Sequence, residues 1–182
     1  MQNNSFDLNF LYQNYNVLVY NVALHYVQNV EDAEEITQDV FVKVHHSLKD
    51  FNQKSSHKTW IYRIAINQSL DFIKKKNSQK RFFIFGNRSH NENEYLNAST
   101  FEHSGIDLEK KEAAKILYTT INTLPDNQKT AFILSKIDGL SNPEIGEIME
   151  LSISAVESLI FRAKGSLKEK LATKFSEYHK NK

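Results

Sequence analysis

The only tryptophan of the chain, Trp60, lies in its most basic stretch. In HKTWIYRIAINQSLDFIKKK, residues 57–76, Ile61, Ile64, Ala65, Ile66, Leu70, Phe72 and Ile73 make most of a helical circumference apolar. One narrow polar arc remains at helical spacing, formed by Trp60, Arg63, Asn67, Asp71 and Lys74. An aromatic ring among cations and amides can stack an unpaired base while Arg and Lys hold the strand backbone, which is the chemistry of single-stranded DNA binding. Near a helix start the same ring can instead fold back onto a neighbouring helix. Spacing alone leaves both placements open.

A different DNA chemistry is written in SNPEIGEIMELSISAVESLIFRAK, residues 141–164. Ile145, Met149, Leu151, Val156 and Leu159 can close a small core between two short helices, and Gly146 lacks a side chain where the second helix would cross. This is helix-turn-helix spacing, in which the second helix enters the major groove, although an ordinary helical hairpin shares the pattern. Val156, Leu159, Ile160, Ala163, Leu167 and Leu171 mark the buried stripe of that helix. Its other face offers Ser154, Ala155, Glu157, Ser158, Phe161, Arg162, Lys164 and Lys168, with the bases suited to phosphates. Glu157 has two readings. With Ser154 it completes a Ser-x-x-Glu capping box, or from the first turn it accepts a hydrogen bond from cytosine N4 in the groove.

In EDAEEITQDVFVKVHHSL, residues 31–48, Ala33, Ile36, Val40 and Val44 point inward while Glu35, Gln38, Asp39 and Val42 share an outer stripe. Such a stripe suits a basic protein surface and repels DNA; the plainer alternative is an exposed helix face. Catalysis finds little support. His45 and His46 point to different helix faces, no His-x-x-x-His pair exists, and neither a glycine-rich phosphate loop nor a nucleophile elbow appears. No catalytic residue, metal, cofactor or small-molecule substrate is expected.

The elements that must carry these residues are helical. Two prolines and five glycines in 182 residues leave long uninterrupted stretches, and no run alternates as a strand would, so the fold class is all-α. Helices are expected over 6–28, 31–49 and 58–76, then over 109–123, 126–138, 142–149 and 153–172. Between them 77–108 is polar and asparagine-rich, the composition of a flexible linker, so two small helical domains are expected, 1–76 and 109–182. RFFIF, residues 81–85, is apolar enough either to continue the preceding helix or to dock on a partner. Ser141, Pro143 and Glu144 read as a capping box opening the helix at 142, and Gly139 as the stop of the one before.

The net charge of +1 hides an alternation. Residues 1–53 carry seven acids and two bases, 54–81 eight bases and one acid, 82–151 eleven acids and six bases, and 152–182 seven bases and three acids. Each candidate DNA helix thus falls in a basic block. Absence of cysteine suits a reducing compartment, and no leader or roughly 20-residue apolar span is apparent, so a cytoplasmic protein is expected.

Together these motifs resemble the sigma factors of bacterial RNA polymerase, in the small extracytoplasmic-function group that keeps regions two and four. AEEITQDVFVKV resembles the polymerase-binding helix of region two, KTWIYRIAINQSLDFIKKK its promoter-melting helix, and the stretch from Thr123 to Leu171 region four. The resemblance implies that Glu35, Gln38, Asp39 and Val42 grip the clamp helices of the polymerase β′ subunit, with the β subunit also contacted. It implies that Lys58, Trp60, Arg63, Asn67, Lys74, Lys75 and Lys76 open and read the −10 element, with the loop from Phe51 to Thr59 capturing a flipped base. It assigns −35 duplex to Ser154, Ala155, Glu157, Ser158, Arg162, Lys164 and Lys168, and it implies core polymerase, promoter DNA and an anti-sigma factor as partners. The chain departs from the pattern at Ile66, where arginine is frequent, at Glu150, where glycine is common in the turn, and at Glu157 and Leu159, where bases are frequent. A conventional helix-turn-helix regulator would explain residues 140–171 equally well but leaves Trp60 in its basic stripe unexplained.

Overall fold

The structure, a computed structural model, describes residues 8–52, 54–86 and 108–180. The described residues hold seven α-helices, one 3-10 turn and no strand. They are α1 (Leu8–Val27), α2 (Val30–Ser47), α3 (His57–Gly86), α4 (Leu108–Ile121), α5 (Asp126–Lys136), α6 (Asn142–Met149) and α7 (Ile153–Lys180), with the 3-10 turn at Leu48–Asp50. The chain divides into two compact units, Met1–Phe101 and Glu102–Lys182.

In the first unit α1, α2 and α3 pack against one another. Ala33, Ile36, Val40 and Val44 recur at three and four, which places them on one side of α2, and all four are fully buried. Buried with them in the unit where these three helices pack are Leu11, Val19, Val22 and Tyr26 of α1 and Ile61 and Ala65 of α3. A two-residue corner joins α1 to α2. Gln28 takes the left-handed conformation with φ 56°, and its side-chain amide donates to the carbonyls of Leu24 at 3.1 Å and His25 at 3.0 Å, which closes the end of α1. Asn29 then caps α2, its Oδ1 accepting from the Asp32 backbone N–H at 2.8 Å.

Helix α3 runs ten residues past the expected end at 76, and the backbone of 81–85 lies in it. Of the two readings of RFFIF, its backbone follows the continued helix. The remainder of the expected linker up to residue 107 lies outside the described residues.

In the second unit α7 packs on α4, α5 and α6. Its stripe is as expected: Val156, Ile160, Ala163 and Leu167 are buried, and Leu159 and Leu171 half-buried. Burial, and secondarily the charge of Asp138, push the Tyr118 hydroxyl on α4 above the ordinary tyrosine range. Helix α5 ends at Lys136, and Gly139, three residues on with a φ of 71°, supplies the stop expected there. At the start of α6 the Glu144 carboxylate accepts from the Ser141 backbone N–H at 2.9 Å and its hydroxyl at 2.7 Å, with Pro143 in the first turn.

Candidate nucleic-acid interface

Helix α3 begins at a built cap. Ser56 Oγ accepts from the Thr59 backbone N–H at 3.0 Å, and Thr59 is buried, which fixes the direction in which the next residue leaves the helix. That residue is Trp60, half-buried, its ring centroid 4.7 Å from Phe51 and inclined to it by 34°. Phe51 also lies 4.8 Å from the His57 ring. The tryptophan therefore rests on the loop that follows α2, neither swallowed by the core nor freely projecting. Beyond it Arg63 is half-buried, and Asn67, Asp71 and Lys74 are exposed along the same arc.

Not every expected base joins this arc. At about 100° per residue, Lys75 lies about 60° round the helix from Trp60, whereas Lys58 and Lys76 lie on nearly the opposite side. Lys58 and Lys75 are exposed. Lys76 reaches α2 instead, forming an ion pair with Asp32 and lying 5.7 Å from the centroid of the Phe72 ring. On α2, Glu35, Gln38, Asp39 and Val42 form one exposed stripe, with Val42 57% exposed.

The α6–α7 turn is tight. Glu150 takes the left-handed conformation with φ 57°, and the Leu151 N–H donates to the Gly146 carbonyl at 3.0 Å, closing α6. A Cβ on Gly146 would lie 2.9 Å from the Leu151 carbonyl oxygen, so the glycine admits the turn's own backbone, an approach the sequence pattern had placed at the crossing of α7. Leu151, expected in the core, is 37% exposed because that turn lifts it out.

The cap of α7 also differs from the Ser-x-x-Glu reading. Its first backbone turn closes from the Val156 N–H to the Ser152 carbonyl at 3.0 Å, and Ser152 Oγ accepts from Ala155 N–H at 3.3 Å. Ser152 is therefore the cap, and Glu157 stands two residues too far along to complete a box with it. Glu157 is exposed, and its Oε1 accepts from Asn142 Nδ2 of α6 at 3.3 Å. Around it Ser154, Ser158, Arg162, Lys164 and Lys168 are exposed, Ala155 is half-buried, and Phe161 is 79% exposed. The Arg162 guanidinium is held along the helix by Ser158, donating to its Oγ at 3.0 Å and its carbonyl at 3.3 Å. Sequence reasoning missed Asn142 and Ser152; the second serine, three residues before Ala155, was the available signal for the cap.

Two different basic helical faces, one beside a stacked tryptophan and one on a helix-turn-helix, thus occur in order along one chain. Models of sigma-70 region 2 and sigma-70 region 4 match residues 11–79 and 114–167, about two-thirds of the chain together. The chain belongs to the sigma-70 family, in its extracytoplasmic-function group. It is 28% identical to the ECF RNA polymerase sigma-E factor of Haemophilus influenzae, over 90% of this chain and 86% of that one. It is 29% identical to the ECF RNA polymerase sigma factor SigW of Bacillus subtilis, over 84% and 82%. Among solved structures, the Bartonella quintana sigma factor RpoE, crystallised with the anti-sigma factor NepR, shares the fold with a TM-score of 0.63 at 20% identity, over 90% of this chain and 96% of that one. In these terms α3 and its Trp60 cluster belong to region 2, and α5, α6 and most of α7 to region 4. Among the described residues no helix is long and apolar enough to cross a membrane, and no group of three or more His, Asp or Glu is placed to hold a metal ion.

Proposed function

We propose that this sigma factor works by dividing promoter recognition between its two units: region 2 traps melted −10 bases, and region 4 holds the −35 element as duplex. The observation that carries the division is the contrast between Trp60, stacked on Phe51 beside Arg63, Asn67, Lys74 and Lys75, and the α7 face, which offers hydrogen-bonding and phosphate-binding groups to a groove. Domain assignments of 1–76 and 109–182 with a connecting 77–108 belong to the same reading. So does the placement of Glu35, Gln38, Asp39 and Val42 on the polymerase clamp: three hydrogen-bonding side chains, two of them acidic, flank one exposed valine on a helix face that DNA would not approach. The protein makes no bond itself, acts in the cytoplasm on core polymerase, and is held by an anti-sigma factor, as the Bartonella quintana relative is bound by NepR.

Purified chain added to core polymerase should direct initiation from a subset of genomic fragments that share a two-part promoter. If it neither bound core enzyme nor added a single start site, the reading would be wrong. Within the complex, Gln38→Ala and Val42→Ala together should weaken core binding without changing promoter choice; an altered promoter choice would remove the clamp assignment.

A further inference from the structure

The loss of the capping role leaves Glu157 as an acid on a DNA-facing helix with one described partner, Asn142. A carboxylate near phosphates is repelled unless it meets a donor, and the base edges of the major groove offer few. Guanine presents only acceptors and thymine an acceptor and a methyl; adenine pairs its N6 donor with an adjacent N7 acceptor, whereas cytosine presents the N4 donor alone. A carboxylate, which accepts and cannot donate, therefore matches cytosine best and adenine poorly. The local geometry prepares it for that task. The Asn142 amide donates to Oε1 and so directs the side chain, while Oε2 is left to accept from a base. Glu157 also lies one helical turn from both Ser154 and Phe161, all three exposed, and so within the same contact ridge.

We infer that Glu157 is a specificity-determining residue that selects cytosine at one position of the −35 element, and that Asn142 is its positioning residue. The inference rests on the reading of α6 and α7 as the −35 duplex reader. It follows that this chain's preferred −35 element contains a cytosine at a position where a basic residue at 157 would favour guanine.

The test uses the full chain with core polymerase and a promoter library randomised across the −35 element, with initiation counted for each sequence. Wild type should favour cytosine at one position by about 5- to 150-fold over the other bases. Glu157→Gln keeps an oxygen to accept from Asn142 but adds a donor, so it preserves the contact between helices and should move the preference at that position to adenine. Asn142→Ala should keep cytosine as the preferred base while shrinking its margin several-fold. A Glu157→Gln protein that initiates well with the wild-type base preference overturns the assignment, because a merely bracing role predicts that result. An undiminished margin in Asn142→Ala overturns the positioning role. Failure of the wild-type chain to initiate from any library member would instead remove the parent reading, so the two failures are distinguishable.

Discussion

Helices α3 and α7 each bury one stripe and expose another, yet they hold their exposed side chains differently. On α3 the decisive ring is clamped from outside the helix: Phe51, from the loop after α2, lies against Trp60, and Asp32 of α2 pairs with Lys76 on the far side of the helix from the arc. On the groove-facing side of α7, in its first turns, the contacts are local or come from its helix-turn-helix partner, Arg162 on Ser158 and Glu157 on Asn142. A surface that receives a base torn from its stack benefits from a rigid platform, because ordering the ring beforehand removes that cost from binding. A surface that follows a duplex needs donors and acceptors at fixed spacing, which a helix supplies by itself. Region 2 therefore spends loop structure on one ring, and region 4 relies on helical register.

The largest effect that distinguishes the two should come from Trp60→Ala. Losing one stacked base is expected to lower the yield of melted promoter by about 5- to 150-fold, read by permanganate reactivity of −10 thymines, with protection of the −35 duplex unchanged. Phe51→Ala should reproduce part of that loss by freeing the ring. Equal loss of −35 protection would break the division between units. Next in size, Arg162→Ala should weaken binding across all −35 sequences and reduce the slope of log affinity against log salt by about 0.9 if the guanidinium meets a phosphate. A changed base preference with an unchanged slope would place Arg162 on a base edge instead.

Much of this was legible in the sequence, and what was not turns on contacts between helices and on the geometry of the corners that join them. Periodicity located Ala33, Ile36, Val40 and Val44 inside and Glu35, Gln38, Asp39 and Val42 outside because one helix's repeat decides that question. The polar arc of α3 was readable in the same way. Lys76 was not, since three consecutive lysines look alike in sequence while successive helical positions diverge by about 100° and only one could reach Asp32. The α7 cap was misplaced because Ser152 and Ser154 both precede helical residues, and the choice depends on where the left-handed residue before them ends α6. Gln28 was missed outright as a corner, because glutamine is an uncommon residue for a positive φ.

Those two left-handed corners give a paired test of stability. Exposed Glu150 bears the usual steric cost of a Cβ at positive φ, so Glu150→Gly should stabilise the second unit by about 0.5–1 kcal/mol, seen as slower hydrogen exchange in α6 and α7. Gln28 is 8% exposed and offsets the same cost with two side-chain hydrogen bonds to the end of its own helix. Gln28→Gly should therefore bring no gain, and exchange in α1 should quicken or stay level. Equal gains at both corners would show that the amide bonds to Leu24 and His25 contribute nothing.

The smallest expected effect concerns Lys76, the lysine paired with Asp32. Lys76 and Asp32 are 44% and 18% exposed at their side chains, so solvent screens the pair, and Asp32→Asn should change the stability of the first unit by less than about 1 kcal/mol. Its consequence for DNA is more informative than its size. Freed from Asp32, the Lys76 side chain is long enough to swing toward a nearby phosphate, which would steepen the salt dependence of binding to −10 single strands by about 0.7 in the log-log slope. Lys74→Ala and Lys75→Ala should each make that slope shallower by a similar amount, while Lys76→Ala in the native background should leave it unchanged. If Lys76→Ala alone flattened the slope as much as Lys74→Ala, the ion pair with Asp32 would have to open when DNA binds, and the platform of region 2 would be less fixed than the Phe51–Trp60 contact implies.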